Sequence, residues 1–268
     1  HGALADNASY LVDTTGPAVT SVAVTGVTGA QSYRLKYDNE ISGLNSGDVV
    51  NFLKTGNVVT VTLATSEAVT VTGTPTIALK IGGSTVNATY ASGSGTNSLK
   101  FTYAIQSGQT DTDGLSIIAN SLSGGSIQDL AGNNISLTHG GVSDDTRYRV
   151  ITTGPGIVAV ALSGAVGAQN NLLNAGDVVT ATVTTTAAVT VAGKPQLALR
   201  IGGDVVYASY ASGSGTNSLS FTYTIQGGQT DTNGISIDAD SLRLNGGTIK
   251  DLAGNNAVLS HSGVSDNS

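Results

Sequence analysis

Residues 90–99 read YASGSGTNSL, and residues 210–219 read the same ten letters. An identical decapeptide 120 residues apart means that one folding unit occurs twice, so the fold must close within a unit of about that length and then start again. A tandem unit also bears on function. A catalytic centre is rarely needed twice in one chain, whereas a building block of a long structure is.

The register holds almost end to end. Val12-Asp13-Thr14-Thr15-Gly16-Pro17 matches Val150-Ile151-Thr152-Thr153-Gly154-Pro155. Asn51 to Gly56 matches Asn171 to Gly176, and Asp129-Leu130-Ala131-Gly132-Asn133 matches Asp251 to Asn255. The offset is 138 near the start, 120 in the middle and 122 near the end. The first copy therefore carries an 18-residue insertion, about 33–50, and the second carries two extra residues near Arg243-Leu244. His1, His139 and His261 precede Asp6, Asp144 and Asp266 by the same five positions. Residues 1–12 thus read as the tail of a preceding repeat, 13–149 as the first full repeat and 150–268 as the second. The chain reads as a slice of a longer array.

Composition narrows the class. Charged residues are 11% of the chain, there is no cysteine, and Gly alone numbers 36. Disulfides and thiolate metal sites are excluded. Thr and Val favour strands and Gly favours turns. A net charge of −7 argues against a nucleic-acid partner, because phosphates are held by basic patches. No stretch has the length and apolarity of a membrane-inserted helix. Of the 18 acids, only Glu40 and Glu67 are Glu. Asp in this excess belongs to turns or to hard-cation sites, where a short carboxylate is fixed by nearby backbone.

Apolar residues recur at period two in 19–24, 58–63 and 99–105, and again in 178–183 and 219–225. That is the pattern of strands with one buried face. Strands are predicted near 18–25 (A), 57–65 (B), 75–81 (C), 85–91 (D), 98–105 (E) and 114–119 (F), with G beyond Asn134. A further strand is required before each linker, at Tyr10-Leu11-Val12 and Tyr148-Arg149-Val150. The second copy follows by the offsets, but Ser268 comes before its own closing segment. The fold class is all-β: two tandem immunoglobulin-like β-sandwich domains. If the closing segment completes each domain, the second has an open edge, and residues 9–12 of one molecule would complete the edge of another in weak head-to-tail association.

The strings VDTTGP, GTPTIALKIGG and GKPQLALRIGG, YASGSGTNSL, FTYTIQGGQTDTNG and the DLAGN loop together resemble the bacterial Ig-like repeats of giant RTX-type and biofilm-associated surface adhesins. The resemblance covers nearly the whole chain. It implies a secreted extender module on the bacterial cell surface, in contact with neighbouring repeats and projecting an adhesive tip for cell adhesion and biofilm formation. In that family Ca²⁺ at domain junctions commonly stiffens the rod. The glycine-rich nonapeptide that names RTX proteins is absent here, which places the chain in the extender region.

Loop parity gives an argument for ions that does not depend on the family. In a sandwich, successive loops alternate between poles. The E–F loop (Asp111, Asp113) and the exit linker (Asp144, Asp145) then share the pole that faces the next repeat, and Asp251 lies at that repeat's entry pole. Asp13 and Asp129 are the corresponding entry positions of the first copy, and Asp231 and Asn233 the corresponding exit positions of the second. These nine residues are the candidate Ca²⁺ ligands, since Ca²⁺ takes six to eight oxygens. Asp-Thr-Asp-Gly is equally an ordinary turn, and it is no EF-hand, because Leu122 stands where a bidentate Glu is needed. The second copy has Ile151 where the first has Asp13, which removes one candidate ligand there. The insertion carries Tyr33, Arg34, Lys36, Tyr37, Asp38 and Glu40, and reads either as a brace or partner contact, or as a tolerated loop.

Other apparent signals have simpler readings. Gly93-Ser94-Gly95 lies between two strands, so no helix N-terminus is there to hold a phosphate. The histidines occur at every repeat edge, which argues against a Ser-His-Asp triad. Thr60-Val61-Thr62 and Thr180 to Thr184 have the alternation of flat, ice-binding threonine arrays. Such arrays need many aligned strands, and Thr on the solvent face of one strand is ordinary. Asn7-Ala8-Ser9, Asn87-Ala88-Thr89 and Asn134-Ile135-Ser136 fit the glycosylation acceptor pattern, as chance alone produces in such a composition. A glycan- or surface-binding module is the alternative to a structural one. It usually stacks sugars on exposed aromatics, yet the chain has no Trp and three Phe. No catalytic residue is assigned, and a non-enzymatic role is expected.

Overall fold

The computed structural model describes residues 11–38 and 42–266. His1, Asp6, Tyr10 and Glu40 lie outside them. The chain divides into two units, His1–Thr152 and Thr153–Ser268. Among the described residues every regular element is a β-strand, so the all-β class is met in both copies.

Unit 1 contains β1 (Val19–Thr28), β2 (Gln31–Arg34), β3 (Val49–Leu53), β4 (Val58–Thr72), β5 (Thr76–Ile81), β6 (Ser84–Ser92), β7 (Thr96–Ala104), β8 (Thr110–Asp111), β9 (Leu115–Ile117), β10 (Ser126–Gln128), β11 (Val142–Asp145) and β12 (Tyr148–Ile151). Its main sheet runs β1-β4-β7-β6-β5-β9-β11, with β10 on the far end of β4. In the sequence lettering this is A-B-E-D-C-F-G. The β5–β6 hairpin is paired along its length from Thr76↔Thr89 to Ile81↔Ser84, so the A-B-E-D and C-F-G halves form one continuous sheet around a shared core. Val59, Val61 and Leu63 alternate inward along β4 and are fully buried beside Leu99 and Phe101 of β7. The pairing of β4 with β7 breaks between Ala64 and Val69. The strand then finishes against β10, and Glu67 sits at that break.

The repeated decapeptide is the β6–β7 hairpin. Tyr90 packs edge-on against Phe101 at 5.9 Å, and its hydroxyl accepts the N–H of Ser94 at 2.8 Å. Ser94 Oγ accepts the N–H of Val71 at 2.9 Å, which pins the turn to β4. Gly93 has φ +113°, and a Cβ there would collide with the Ser98 carbonyl. Only glycine fits both demands. Tyr210, Phe221, Ser214 and Gly213 repeat each contact. The most legible feature of the sequence is thus a hairpin, duplicated because the fold is.

A second sheet, β2-β3-β12-β8, exists only in unit 1 among the described residues. The insertion extends it: within 33–50, Tyr33 and Arg34 of β2 pair antiparallel with Val50 and Val49 of β3, and Leu35, Leu44 and Val50 are buried. It is therefore not a bare loop. The closing strand β12 enters between β3, in parallel, and β8, antiparallel. Val150 at its centre is fully buried in the unit 1 core, so the closing segment belongs to unit 1 and the division falls after Thr152.

Unit 2 contains β13 (Ile157–Val166), β14 (Val178–Ala192), β15 (Gln196–Ile201), β16 (Asp204–Ser212), β17 (Thr216–Thr224), β18 (Leu242–Arg243) and β19 (Thr248–Lys250). Its sheet order is β13-β14-β17-β16-β15-β18, with β19 on β14. Among the described residues, the counterpart of strand F shows the bridges Arg200↔Ser236 and Ile237↔Val264. No described residue of unit 2 takes the place of β12. Matched positions differ in burial between the units. Phe52 is 5% exposed, whereas its counterpart Leu172 is 70% exposed. Leu53, Asp111 and Leu115 are buried, whereas Leu173, Asp231 and Ile235 are only half-buried.

Candidate metal cluster and the repeated polar residues

Of the nine candidate ligands, Asp13 and Asp129 come together in unit 1, and Glu67 joins them. One carboxylate oxygen from each lies within 4.8 Å of the others, with Asp13 exposed, Glu67 intermediate and Asp129 buried. Ca–O bonds of about 2.3–2.6 Å place two oxygens on one ion at most about 5 Å apart, so the separation suits a shared hard cation. Each ligand arrives on a different element: Asp13 on the segment leading into β1, Glu67 at the β4 break, and Asp129 in the loop after β10.

Local bonds preset the geometry. Asp13 Oδ1 accepts the N–H of Thr15 at 3.0 Å, and its carbonyl accepts from Asn133 Nδ2 at 3.2 Å. Asp129 accepts the backbone N–H of Asn133 on Oδ1 and its side-chain amide on Oδ2, both at 2.8 Å. Burial alone disfavours the Asp129 carboxylate. The donors on Asn133, Ala131 and Gly132 outweigh burial and hold its pKa below the ordinary aspartate value.

In unit 2 the positions of Asp13 and Glu67 are Ile151 and Ala187. Asp251 keeps the loop bonds, accepting from Asn255 at 2.8 and 2.9 Å. Asp129 and Asp251 therefore share a fold-building role, and the other two carboxylates are particular to the first copy. Sequence reasoning does not single out Glu67. A signal is nevertheless present: one of only two Glu residues in the chain is lost in the same copy that loses Asp13.

The remaining candidates are placed singly. Asp111 is buried and accepts the N–H groups of Gly82 and Gly114, both at 2.7 Å. Burial raises its pKa, those two donors oppose the rise, and the adjacent Asp113 adds to it. Asp231 accepts from Gly202 at 2.7 Å, Asn233 at 3.1 Å and Gly234 at 2.9 Å, so it closes the same loop. Asn233 Nδ2 donates to Asp266 at 2.6 Å. Asp145 is paired with Arg147 at 2.6 Å. The guanidinium hydrogen bonds hold the Asp145 pKa down against the effect of burial. Asp113 and Asp144 are exposed.

The histidines are structural. His139 is buried, and its Nε2 accepts the N–H groups of Ser121 and Leu122 at 3.0 and 3.2 Å. Nδ1 is left to donate to the Gly140 carbonyl at 2.7 Å. His261 does the same with Ser241, Leu242 and Ser262. Each ring ties the strand-F side of its unit to the following segment.

No family model matches this chain, nor does any curated protein or solved structure.

Proposed function

We propose that the chain is a structural extender segment of a bacterial cell-surface adhesin: two Ig-like modules in series, without catalytic activity, forming part of a secreted rod that carries an adhesive tip outward for cell adhesion and biofilm formation. One observation carries this reading. The polar residues that the two copies share are spent on the fold. Tyr90 and Tyr210, Asp111 and Asp231, Asp129 and Asp251, and His139 and His261 each bind groups of their own module. Selection for a repeated scaffold accounts for that pattern more directly than selection for a repeated site.

Ca²⁺ fits this role at the entry of the first module. Asp13, Glu67 and Asp129 would hold it, with backbone carbonyls or water completing six to eight oxygens. The ion would neutralise three crowded carboxylates and tie the entry segment to β4 and to the loop after β10. Stretching the 268-residue chain by single-molecule force spectroscopy tests the mechanical reading. Two separate unfolding events, the first strengthened by Ca²⁺, are expected. Collapse of the chain without a force peak would refute the extender role. A positive glycan array would favour a binding module instead.

A further inference from the structure

Unit 2 turns between β18 and β19 through Leu244-Asn245-Gly246-Gly247. Asn245 has φ +47° and Gly246 φ +74°, and the Gly247 N–H donates to the Leu244 carbonyl at 2.8 Å, which makes a type I′ turn. Asn245 and Gly246 are both exposed. Asn245 Nδ2 donates to the Lys194 carbonyl at 3.2 Å, the long end of the range for such bonds. Asparagine before a small residue is chemically labile, because the next backbone nitrogen can reach the side-chain carbon. Within the described residues Asn precedes Gly or Ser six times. In five of these the following N–H is bound at 2.8–3.1 Å: Ser46 to Asp38, Ser98 to Thr96, Ser121 to His139, Ser218 to Thr216 and Gly234 to Asp231. A nitrogen held this way keeps its proton and cannot swing toward the side chain behind it. Gly246 is the exception, since its N–H has no acceptor among the described residues.

We propose that Asn245 is a spontaneous modification site that converts through a cyclic imide to isoaspartate and aspartate, while Asn233, in the other Asn-Gly pair, is protected by the bond from Gly234 to Asp231. The Gly246 nitrogen, having given its proton to solvent, attacks Cγ of Asn245. The bond that forms is Cγ–N, the bond that breaks is Cγ–Nδ2, and Nδ2 leaves as ammonia after taking a proton from water. Water then opens the imide at either carbonyl. No electrons are transferred, and water is the only co-reactant. Gly246 has no side chain to obstruct the approach, and transient opening of this exposed turn supplies the geometry. The product suits the turn less well. A carboxylate at position 245 cannot donate to the Lys194 carbonyl. Isoaspartate also routes the backbone through the side chain and lengthens it by one carbon, beside Gly247, where even a Cβ would collide with the Ala192 carbonyl. Conversion therefore loosens the turn from the connection between β14 and β15. Unit 2 alone is affected, because the matching turn of unit 1 reads Ser123-Gly124-Gly125.

Peptide mapping by mass spectrometry of the whole folded chain, aged in warm, mildly alkaline buffer, tests this. The mass gain of one deamidation accumulates at Asn245 at least tenfold faster than at Asn233, and isoaspartate methyltransferase labels the same peptide. In the chain unfolded in urea the two sites react at similar rates, because the bond from Gly234 to Asp231 is then gone. Asn245→Gly, which suits the positive φ, removes the labelled product. In calorimetry the aged chain loses stability in its unit 2 transition, and the aged Asn245→Gly variant does not. Equal rates at Asn245 and Asn233 in the folded chain overturn the proposal, as does an Asn245 that stays intact in the folded chain while it reacts in the unfolded one. An unchanged unit 2 transition after full conversion overturns the loosening of the turn.

Discussion

Replacing Val150 with Ala should destabilise unit 1 and leave unit 2 unchanged. Val150 is fully buried, packed between β3 and β8 with core neighbours on both sides. Removing two methyl-sized groups forfeits about 1.6 kcal/mol of transfer free energy at about 0.8 kcal/mol each. The cavity left in a packed site raises the loss to about 2–3 kcal/mol. For a unit of this size, that corresponds to a fall of roughly 4–12 °C in its melting temperature. Differential scanning calorimetry reads it directly, because each unit has its own core and two transitions are expected. Val166→Ala is the control. Val166 is 72% exposed, and its truncation should stay within about 0.5 kcal/mol. A loss below about 1 kcal/mol for Val150→Ala, or a fall in the unit 2 transition instead, would refute the assignment of the closing strand to unit 1.

Other outcomes follow from the same geometry. His139→Ala and His261→Ala each strand two N–H donors, one buried and one part-buried, at about 1–3 kcal/mol per group, so each should cost its own unit about 2–6 kcal/mol in chemical denaturation. Unequal effects beyond that range would break the equivalence of the two rings. Ca²⁺ at a hundredfold excess over its dissociation constant should stabilise unit 1 by about 2.7 kcal/mol. Asp13→Asn with Glu67→Gln should remove that gain, and unit 2, with Ile151 and Ala187, should not respond. Equal responses in both units, or none, would sink the cluster as a site. Asp145 has its pKa lowered by Arg147. Its contribution is present above the unfolded aspartate value of about 3.9 and is lost as pH falls through the lower folded value. Asp145→Asn should cost at most about 1 kcal/mol at pH 7, because the pair is partly exposed, and should flatten the acid limb of a stability-against-pH curve. Asp111, whose pKa burial raises, has the opposite sign. Its contribution is full below the unfolded value and is lost as pH rises through the folded one.

The long strands are legible because one face of each is buried. Strands A to E, expected near 18–25, 57–65, 75–81, 85–91 and 98–105, appear as β1, β4, β5, β6 and β7, and the closing segment expected at 148–150 appears as β12. The second half of β4 is not legible, because Ser66 and Glu67 interrupt its alternation at the bend where it changes partners. β2, β3, β8 and β10 have two to five residues each, too short for a period to show. What makes them strands is the neighbour they pair with. Strand F illustrates the same point. Leu115–Ile117 is a strand in unit 1, whereas Ile235-Ser236-Ile237 makes only isolated bridges in unit 2, although the sequences are nearly the same. In unit 1 the strand is held between β5 and β11, and the counterpart of Asp145, which pairs with Leu115, lies outside the described residues of unit 2. At the candidate site, Asp13 and Asp129 are legible through loop parity. Glu67 reaches them only because a register break turns it out of the strand pairing.

The central claim is that each module is closed by the strand leading to the next, so that modules are building blocks completed in series. Appending Arg-Tyr-Arg-Val-Ile-Thr-Thr, a copy of residues 147–153, directly after Ser268 tests this most directly, because Asp266 matches Asp144 and the added residues then fall in register. The melting temperature of unit 2 should rise by roughly 6 °C or more, with unit 1 unmoved, and the same extension with Asp in place of Val should give no rise. An unchanged unit 2 transition with the Val-containing extension would contradict the claim.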